Sequence, residues 1–286
     1  MKQNKQNIIS FLQRISNILM INGCFLDNPG LFTGEMGLVL FFFRYSKYTQ
    51  NELYYNYSFD LIEKIRSKIN IETPINYKQG LTGIGSAIEY LEKKDYIKAN
   101  THDVLEEFDN IIFDMDNLLY MQMEDLLSIS HYALWRMAGS SFRKQTIMQK
   151  VMTDIVIFME RKCQHLDFTY PTISYLKKII ENENGIEFQN ISEFPDSLHI
   201  CRKKYPNGVE ESNFNYFMEN FSNKEFFGKK TFELGLMNGI AGFGMALMTE
   251  LDKDDTWISL LPNDYFLPSV NHLHDNKNLQ TKNQYK

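Results

Sequence analysis

The sequence predicts an all-α protein built as an α/α toroid, a ring of helix pairs in which one helix of each pair faces inward. Three observations predict it. Glycine pairs three residues apart, Gly34/Gly37, Gly80/Gly83 and Gly239/Gly242, each stand directly before an apolar run. Between those runs lie segments whose apolar residues recur at three and four, which marks one buried helix face. No stretch sustains the apolar–polar alternation of a strand. The first glycines of the first two copies are 46 residues apart, the interval from 34 to 80, and self-similarity of that kind marks a repeat architecture.

Taken in chain order, Ile8, Phe11, Leu12, Ile15 and Leu19 form the face of an amphipathic helix that Gly23 stops. Asp27, Asn28, Pro29 and Gly30 form a turn cluster. GLFTGEMGLVLFFFR follows, apolar nearly all round and therefore buried on most sides. Residues 52–69 give a second amphipathic helix with Leu61, Ile62 and Ile65 inward, and QGLTGIGSAIEYL from Gln79 repeats the glycine-led pattern. Residues 103–119 give a third outer helix, rich in acids on one face. DLLSISHYALWRMAG, from Asp125, occupies the place of a third glycine-led helix, without glycines and in a register ambiguous by a residue or two. Ile147, Val151, Ile155 and Phe158 mark a fourth outer helix. Residues 166–210 are the least legible stretch, and TYPTISYLKKII from Thr169 is a further eroded copy. After a helix near 213–224, LGLMNGIAGFGMALMTEL closes the series. About five helix pairs are countable in one domain over residues 1–270, and the ring is possible as an incomplete one. The polar tail 271–286 is expected to be disordered.

Composition narrows the function classes. The 286 residues are 43% hydrophobic and 23% charged with a net charge of −6. That mild acidity gives no electrostatic pull toward nucleic acid or an anionic membrane. The longest apolar run falls far short of the ~18 residues of a membrane helix. Three cysteines, Cys24, Cys163 and Cys201, make no disulfide framework, so a cytoplasmic protein is expected. Cys24 reads as a small buried hydrophobe.

Why glycine stands before each apolar helix has a physical answer at this stage. A helix N-terminus leaves its first N–H groups without intrahelical partners. Gly-x-x-Gly there lets inner helices approach and lets the backbone take φ > 0. The bare N–H groups, at the positive end of the helix dipole, then face a central cavity. The cavity-facing residues on this reading are Gly34, Glu35, Gly37, Gly80, Gly83, Asn238, Gly239 and Gly242. The alternative is that the glycines are packing devices alone, and capping accounts for Glu35 and Asn238.

The motifs GLFTGEMG, GLTGIG and GLMNGIAGFG, and the closing run GLMNGIAGFGMALMTELDKDDTWISLLP, resemble the lanthionine synthetase C-like family, the cyclases of lanthipeptide biosynthesis. The resemblance covers about residues 5–268 and is specific at its two ends. It implies an α/α toroid, seven helix pairs in the family, and zinc-activated addition of a cysteine thiolate to a dehydrated residue of a precursor peptide. In the family two cysteines and a histidine, just before the motif glycine of late repeats, hold the zinc. Here the residues before the first glycine are Phe32 and Thr33, Lys78 and Gln79, and Met237 and Asn238, which do not form a zinc site. The resemblance therefore implies a divergent or accessory member that binds a precursor peptide or a peptide-modifying enzyme, with no cofactor expected.

Two other readings stay open. Cys163, His165, His199 and Cys201 form two Cys/His pairs that could supply a relocated zinc site for an active cyclase or thiol-transferring enzyme. A glycoside-processing toroid would instead need paired carboxylates roughly 5–9.5 Å apart across the cavity. His131, in the glycine-free repeat, is the candidate acid/base, with a core histidine as its alternative.

Overall fold

The structure is a computed structural model that describes residues 2–114, 121–138, 145–163, 176–177, 234–237 and 239–261. Every element among them is helical. Helix α1, Lys2–Gly23, buries Phe11, Leu12, Ile15 and Leu19 along the face the spacing predicts. Cys24 corrects one expectation. It lies just past the helix end, exposed, with its thiol donating to the Ile21 carbonyl.

Helix α2, Glu35–Thr49, is buried continuously from Glu35 through Ser46, as its all-round apolarity requires. Helix α3, Glu52–Lys68, starts at Asn51, whose side chain accepts from the Leu53 N–H at 3.0 Å. It turns Leu61 and Ile65 fully inward and leaves Ile62 half-buried against the core. Aromatic contacts join α3 to α2: Tyr45 lies 4.7 Å from Tyr54, Phe42 4.8 Å from Tyr57 and Phe43 5.3 Å from Phe59. Such pairs contribute roughly 0.5–1.5 kcal/mol each beyond the area they bury.

Helix α4, Leu81–Lys93, repeats the pattern of α2. The outer helix expected over 103–119 is shorter and broken. Helices α5, Thr101–Val104, and α6, Glu106–Ile112, meet at Leu105, where φ −104° and ψ 8° leave the helical region. Helix α7, Met123–Ala138, carries the glycine-free repeat, and α8, Gln145–Cys163, buries Val151 and Ile155. Helix α9, Ile240–Asp252, is the last glycine-led helix, followed by a 3-10 helix, Thr256–Leu260.

In the packing, α2 lies on α3, α4 on α7 and α7 on α8. Helix α9 lies on both α1 and α2, and the 3-10 helix lies on α4. The end of the described chain is thus docked on its beginning. Arg44, 3% exposed, latches that seam: it donates to Asp252 Oδ1 at 2.7 Å, the Asp254 carbonyl at 2.6 Å and the Met245 carbonyl at 3.2 Å. Trp257 Nε1 donates to Thr249 Oγ1 at 3.0 Å beside it. No helix among the described residues is long and apolar enough to cross a membrane. The eroded copy from Thr169 (Leu176 and Lys177 apart), the helix near 213–224 and the tail 271–286 lie outside the described residues.

Candidate functional site

The glycine-led N-termini of α2, α4 and α9 share one construction. In each, the N–H of the second helical residue donates to a carbonyl seven residues earlier: Met36 to Pro29 at 3.3 Å, Thr82 to Ile75 at 3.3 Å and Ala241 to Leu234 at 3.0 Å. A neighbouring N–H does the same from Glu35 to Asn28 at 2.9 Å, Leu81 to Pro74 at 2.9 Å and Gly242 to Gly235 at 3.3 Å. The orphan donors of each helix start are therefore closed by the loop that leads into it. This corrects the expectation of bare N–H groups turned toward a cavity.

It also changes why glycine is required. Gly34, Gly80 and Gly239 have φ of −114°, −117° and −110°, ordinary extended backbone, so a positive φ is not the reason. Space is. A Cβ on Gly80 would stand 1.9 Å from the Pro74 carbonyl oxygen, and one on Gly34 2.3 Å from that of Asn28. On Gly83 it would stand 1.9 Å from the Tyr77 oxygen, on Gly242 1.8 Å from the Leu236 oxygen and on Gly37 2.9 Å from the Leu31 oxygen. In every case the carbonyl belongs to the residue six positions earlier. These five glycines make room for loop backbone, their own capping loop and, at Gly37, also the Leu236 nitrogen of the last repeat at 2.7 Å, not for a neighbouring helix.

The loops are also stitched to one another at equivalent positions. The Met237 N–H donates to the Phe32 carbonyl at 2.8 Å, and the Phe32 N–H donates to the Lys78 carbonyl at 2.9 Å. Each of these residues lies two before its motif glycine. The next position back makes the next contact. Leu236 lies against Gly37 and Leu31 against Gly83, while Tyr77 donates its N–H to Ser128 Oγ at 3.1 Å. Ser128 thus stands where the other repeats have their second glycine. The register of the glycine-free repeat follows: Asp125 takes the first-glycine position. The ladder runs from the last repeat to the first, second and third.

Helix-to-helix approach uses two glycines that the motif reading passed over. A Cβ on Gly85 would stand 2.5 Å from the Tyr132 ring, and one on Gly244 2.4 Å from the Phe41 ring. Both lie five residues after their first motif glycine. The shared GIG and GFG endings of the second and last motifs were the available signal.

Around this pole sit the remaining candidates. Glu35 is fully buried, and its Oε1 accepts from Lys64 at 2.6 Å and Lys68 at 3.0 Å. Its Oε2 is buried with no hydrogen-bond partner. Lys64 and Lys68 also hold the Leu26 carbonyl, at 3.1 and 2.7 Å, so Glu35 anchors the first capping loop through two ammonium groups. Between the first two capping loops lies a polar cleft of about 320 Å³, lined by Asp27, Asn28, Lys68, Glu72 and Gln79 among others. His131 is 3% exposed and packs edge-on against Tyr77 at 5.7 Å, and Tyr77 meets Phe32 at 5.9 Å. The histidine sits within an aromatic layer of the core. Asn238, His165, His199 and Cys201 lie outside the described residues, as does the Cys163 side chain.

A second charged constellation lies away from the pole. Arg136 of α7 is fully buried and paired with Glu89 of α4 and, through Nε at 3.0 Å and Nη2 at 2.6 Å, with Asp109 of α6. Tyr132 donates to Asp109 Oδ1 at 2.7 Å, and Thr101 donates to Glu89 Oε2 at 3.2 Å. Both acids are bound to the same guanidinium, which is an interhelical clamp and not a pair of carboxylates flanking an open cavity.

The zinc that the family resemblance implies does not fit the equivalent loop positions. Phe32 and Met237 are buried at 3% and 5% exposure, the Thr33 hydroxyl accepts from Asn28, and Lys78 pairs with Glu124 at 2.8 Å. None is an imidazole, a thiolate or a carboxylate, the donors that zinc takes. Among the described residues no group of three or more His, Cys, Asp or Glu side chains is placed to hold a metal ion. Comparison of the chain with protein-family models, with curated proteins and with solved structures returns no match to any of them.

Proposed function

We propose that the chain is a divergent lanthionine synthetase C-like α/α toroid that holds a precursor peptide, or its modifying enzyme, as an accessory in thioether-ring formation. The observation that carries this reading is the ladder of equivalent residues, Met237 to Phe32 to Lys78. Its order, last repeat to first to second, is the order a ring of helix pairs requires. The sequence motif at those same loops is what resembles the cyclases. The absence of zinc-ligand chemistry at Phe32, Thr33, Lys78 and Met237 favours a holding role over a cyclising one. The polar cleft beside Asn28, Lys68 and Gln79 is where we place the first contact with a peptide.

The test uses the purified full chain and a fluorescent peptide that contains one dehydroalanine and one cysteine. The expected result is saturable binding by anisotropy, weakened at least several-fold by Gln79→Arg. No thioether forms by mass spectrometry, and elemental analysis finds no stoichiometric zinc. Absence of binding to that peptide overturns the holding role. About one zinc per chain, lost in Cys163→Ser or Cys201→Ser, together with ring formation, overturns the accessory reading in favour of a relocated zinc site.

A further inference from the structure

The clamp at Arg136 closes two carboxylates and one guanidinium into the junction of α4, α5, α6 and α7. Glu89 and Arg136 are wholly buried and Asp109 is 18% exposed. Among the described residues the clamp joins two carboxylates to a single guanidinium, in a place where charge is expensive. We propose that this junction is a proton-binding site: one proton enters on Glu89 as the pH falls, and the protonated cluster ties α5 and α6 more firmly to α4 and α7.

The geometry assigns the proton to Glu89 and not to Asp109. Asp109 accepts three hydrogen bonds, two from Arg136 in the forked arrangement that suits an ionised carboxylate and one from Tyr132. It also keeps partial contact with solvent. Glu89 has one nitrogen of Arg136 on Oε1 and the Thr101 hydroxyl on Oε2, and no solvent. A proton arriving from water binds Oε2, and the Thr101 hydroxyl turns from donor to acceptor, which a hydroxyl allows. No bond to carbon forms or breaks. Burial pushes the Glu89 carboxyl up to about 7, against the opposing pull of Arg136.

The titratable groups around Glu89 are Arg136 and Tyr132 from α7, Asp109 from α6 on the same guanidinium, and Glu92 on its own helix, where Lys93 stands one turn beyond Glu89. From α5 come Thr101 and, next along the chain, His102 and Asp103. The charges that α2 and the segment before the 3-10 helix bring, Arg44 and Asp254, act on Tyr90. Tyr132 is held well above the ordinary tyrosine range by burial and by Asp109, so it stays neutral.

The linkage has a definite sign. Because the folded value lies above the ordinary 4.5, the contribution of Glu89 to stability is fully present below that value and is lost as pH rises through about 7. The experiment is a carbon-13 titration of glutamate side chains in the full chain, with Glu89 assigned through its backbone. The expected midpoint is near neutral, and Asp109→Asn, which leaves one acid to one guanidinium, moves it down part of the way, since the burial that raises it remains. Thermal unfolding is expected to fall in temperature between pH 5 and pH 8 in the parent and to fall less in Asp109→Asn. A Glu89 resonance that titrates in the ordinary range in the parent overturns the proposal. So does one that Asp109→Asn leaves in place.

Discussion

The junction between the first two repeats and the junction between the second and third solve one problem in two chemistries. Where the loops of α2, α4 and α9 meet, backbone binds backbone, and the side chains are pared to glycine so that carbonyl oxygens can sit against helix starts. Where α4 meets α6 and α7, the clamp is a buried guanidinium between two acids. The bonds between the loops in the first solution join uncharged groups, with the Glu35 anchor confined to the first loop. The second is specific in geometry and costly in desolvation. Ser128 is the hinge between them: it occupies a glycine position yet makes its contact through a side-chain hydroxyl.

Breaking the charged junction should do the most damage. Arg136→Leu leaves Glu89 and Asp109 without their shared partner, and removal of one side of a buried pair costs about 3–5 kcal/mol. Denaturant unfolding should show the loss, and adding Glu89→Gln to Arg136→Leu should recover part of it. Equal stability of the single and double variants would show that the acids are not in tension.

The glycine junction should break by steric exclusion. Gly80→Val or Gly242→Val places carbon within 1.9 or 1.8 Å of a backbone oxygen, so the capping loop must move. About 1–3 kcal/mol is expected, the range for overpacking, with unfolding midpoints that shift equally at pH 6 and pH 8. A shift that depends on pH would contradict the division between the two junctions. Ser128→Ala should have the smallest effect, about 1 kcal/mol for one hydrogen bond to a buried N–H. Ser128→Gly should do no better if the hydroxyl is what matters, and native-state hydrogen exchange at the Tyr77 amide reads the difference directly.

The faces of α1 and α3 were legible because burial there follows helical spacing alone: Leu12, Ile15, Leu61 and Ile65 are all inside. The glycine repeats were legible as a pattern but not as a mechanism. A hydrogen bond to a carbonyl seven residues back leaves no mark on residue type, since any residue supplies that carbonyl. The broken outer helix was missed for a similar reason, because 103–119 reads as helix throughout and the interruption at Leu105 is a backbone event. Glu89 and Arg136 were invisible as a pair because their partnership spans two repeats, and neither lies at a motif position. Of the candidate site residues, Glu35 proved to be an anchor for its own loop, and His131 a member of the aromatic layer.

The ladder bond from Met237 to Phe32 carries a consequence for synthesis of the chain. The Arg44 latch, further along α2 and α9, joins residues 205 apart in the case of Thr249. At about 5–20 residues per second, a ribosome needs roughly 10–40 s to deliver the second partner after the first. Throughout that interval the face of α2 that α9 will cover, with Phe41 awaiting Gly244, is apolar surface on a nascent chain. A chaperone that recognises exposed aromatic helices has its natural binding window there, and slowing translation of the intervening segment should lengthen it.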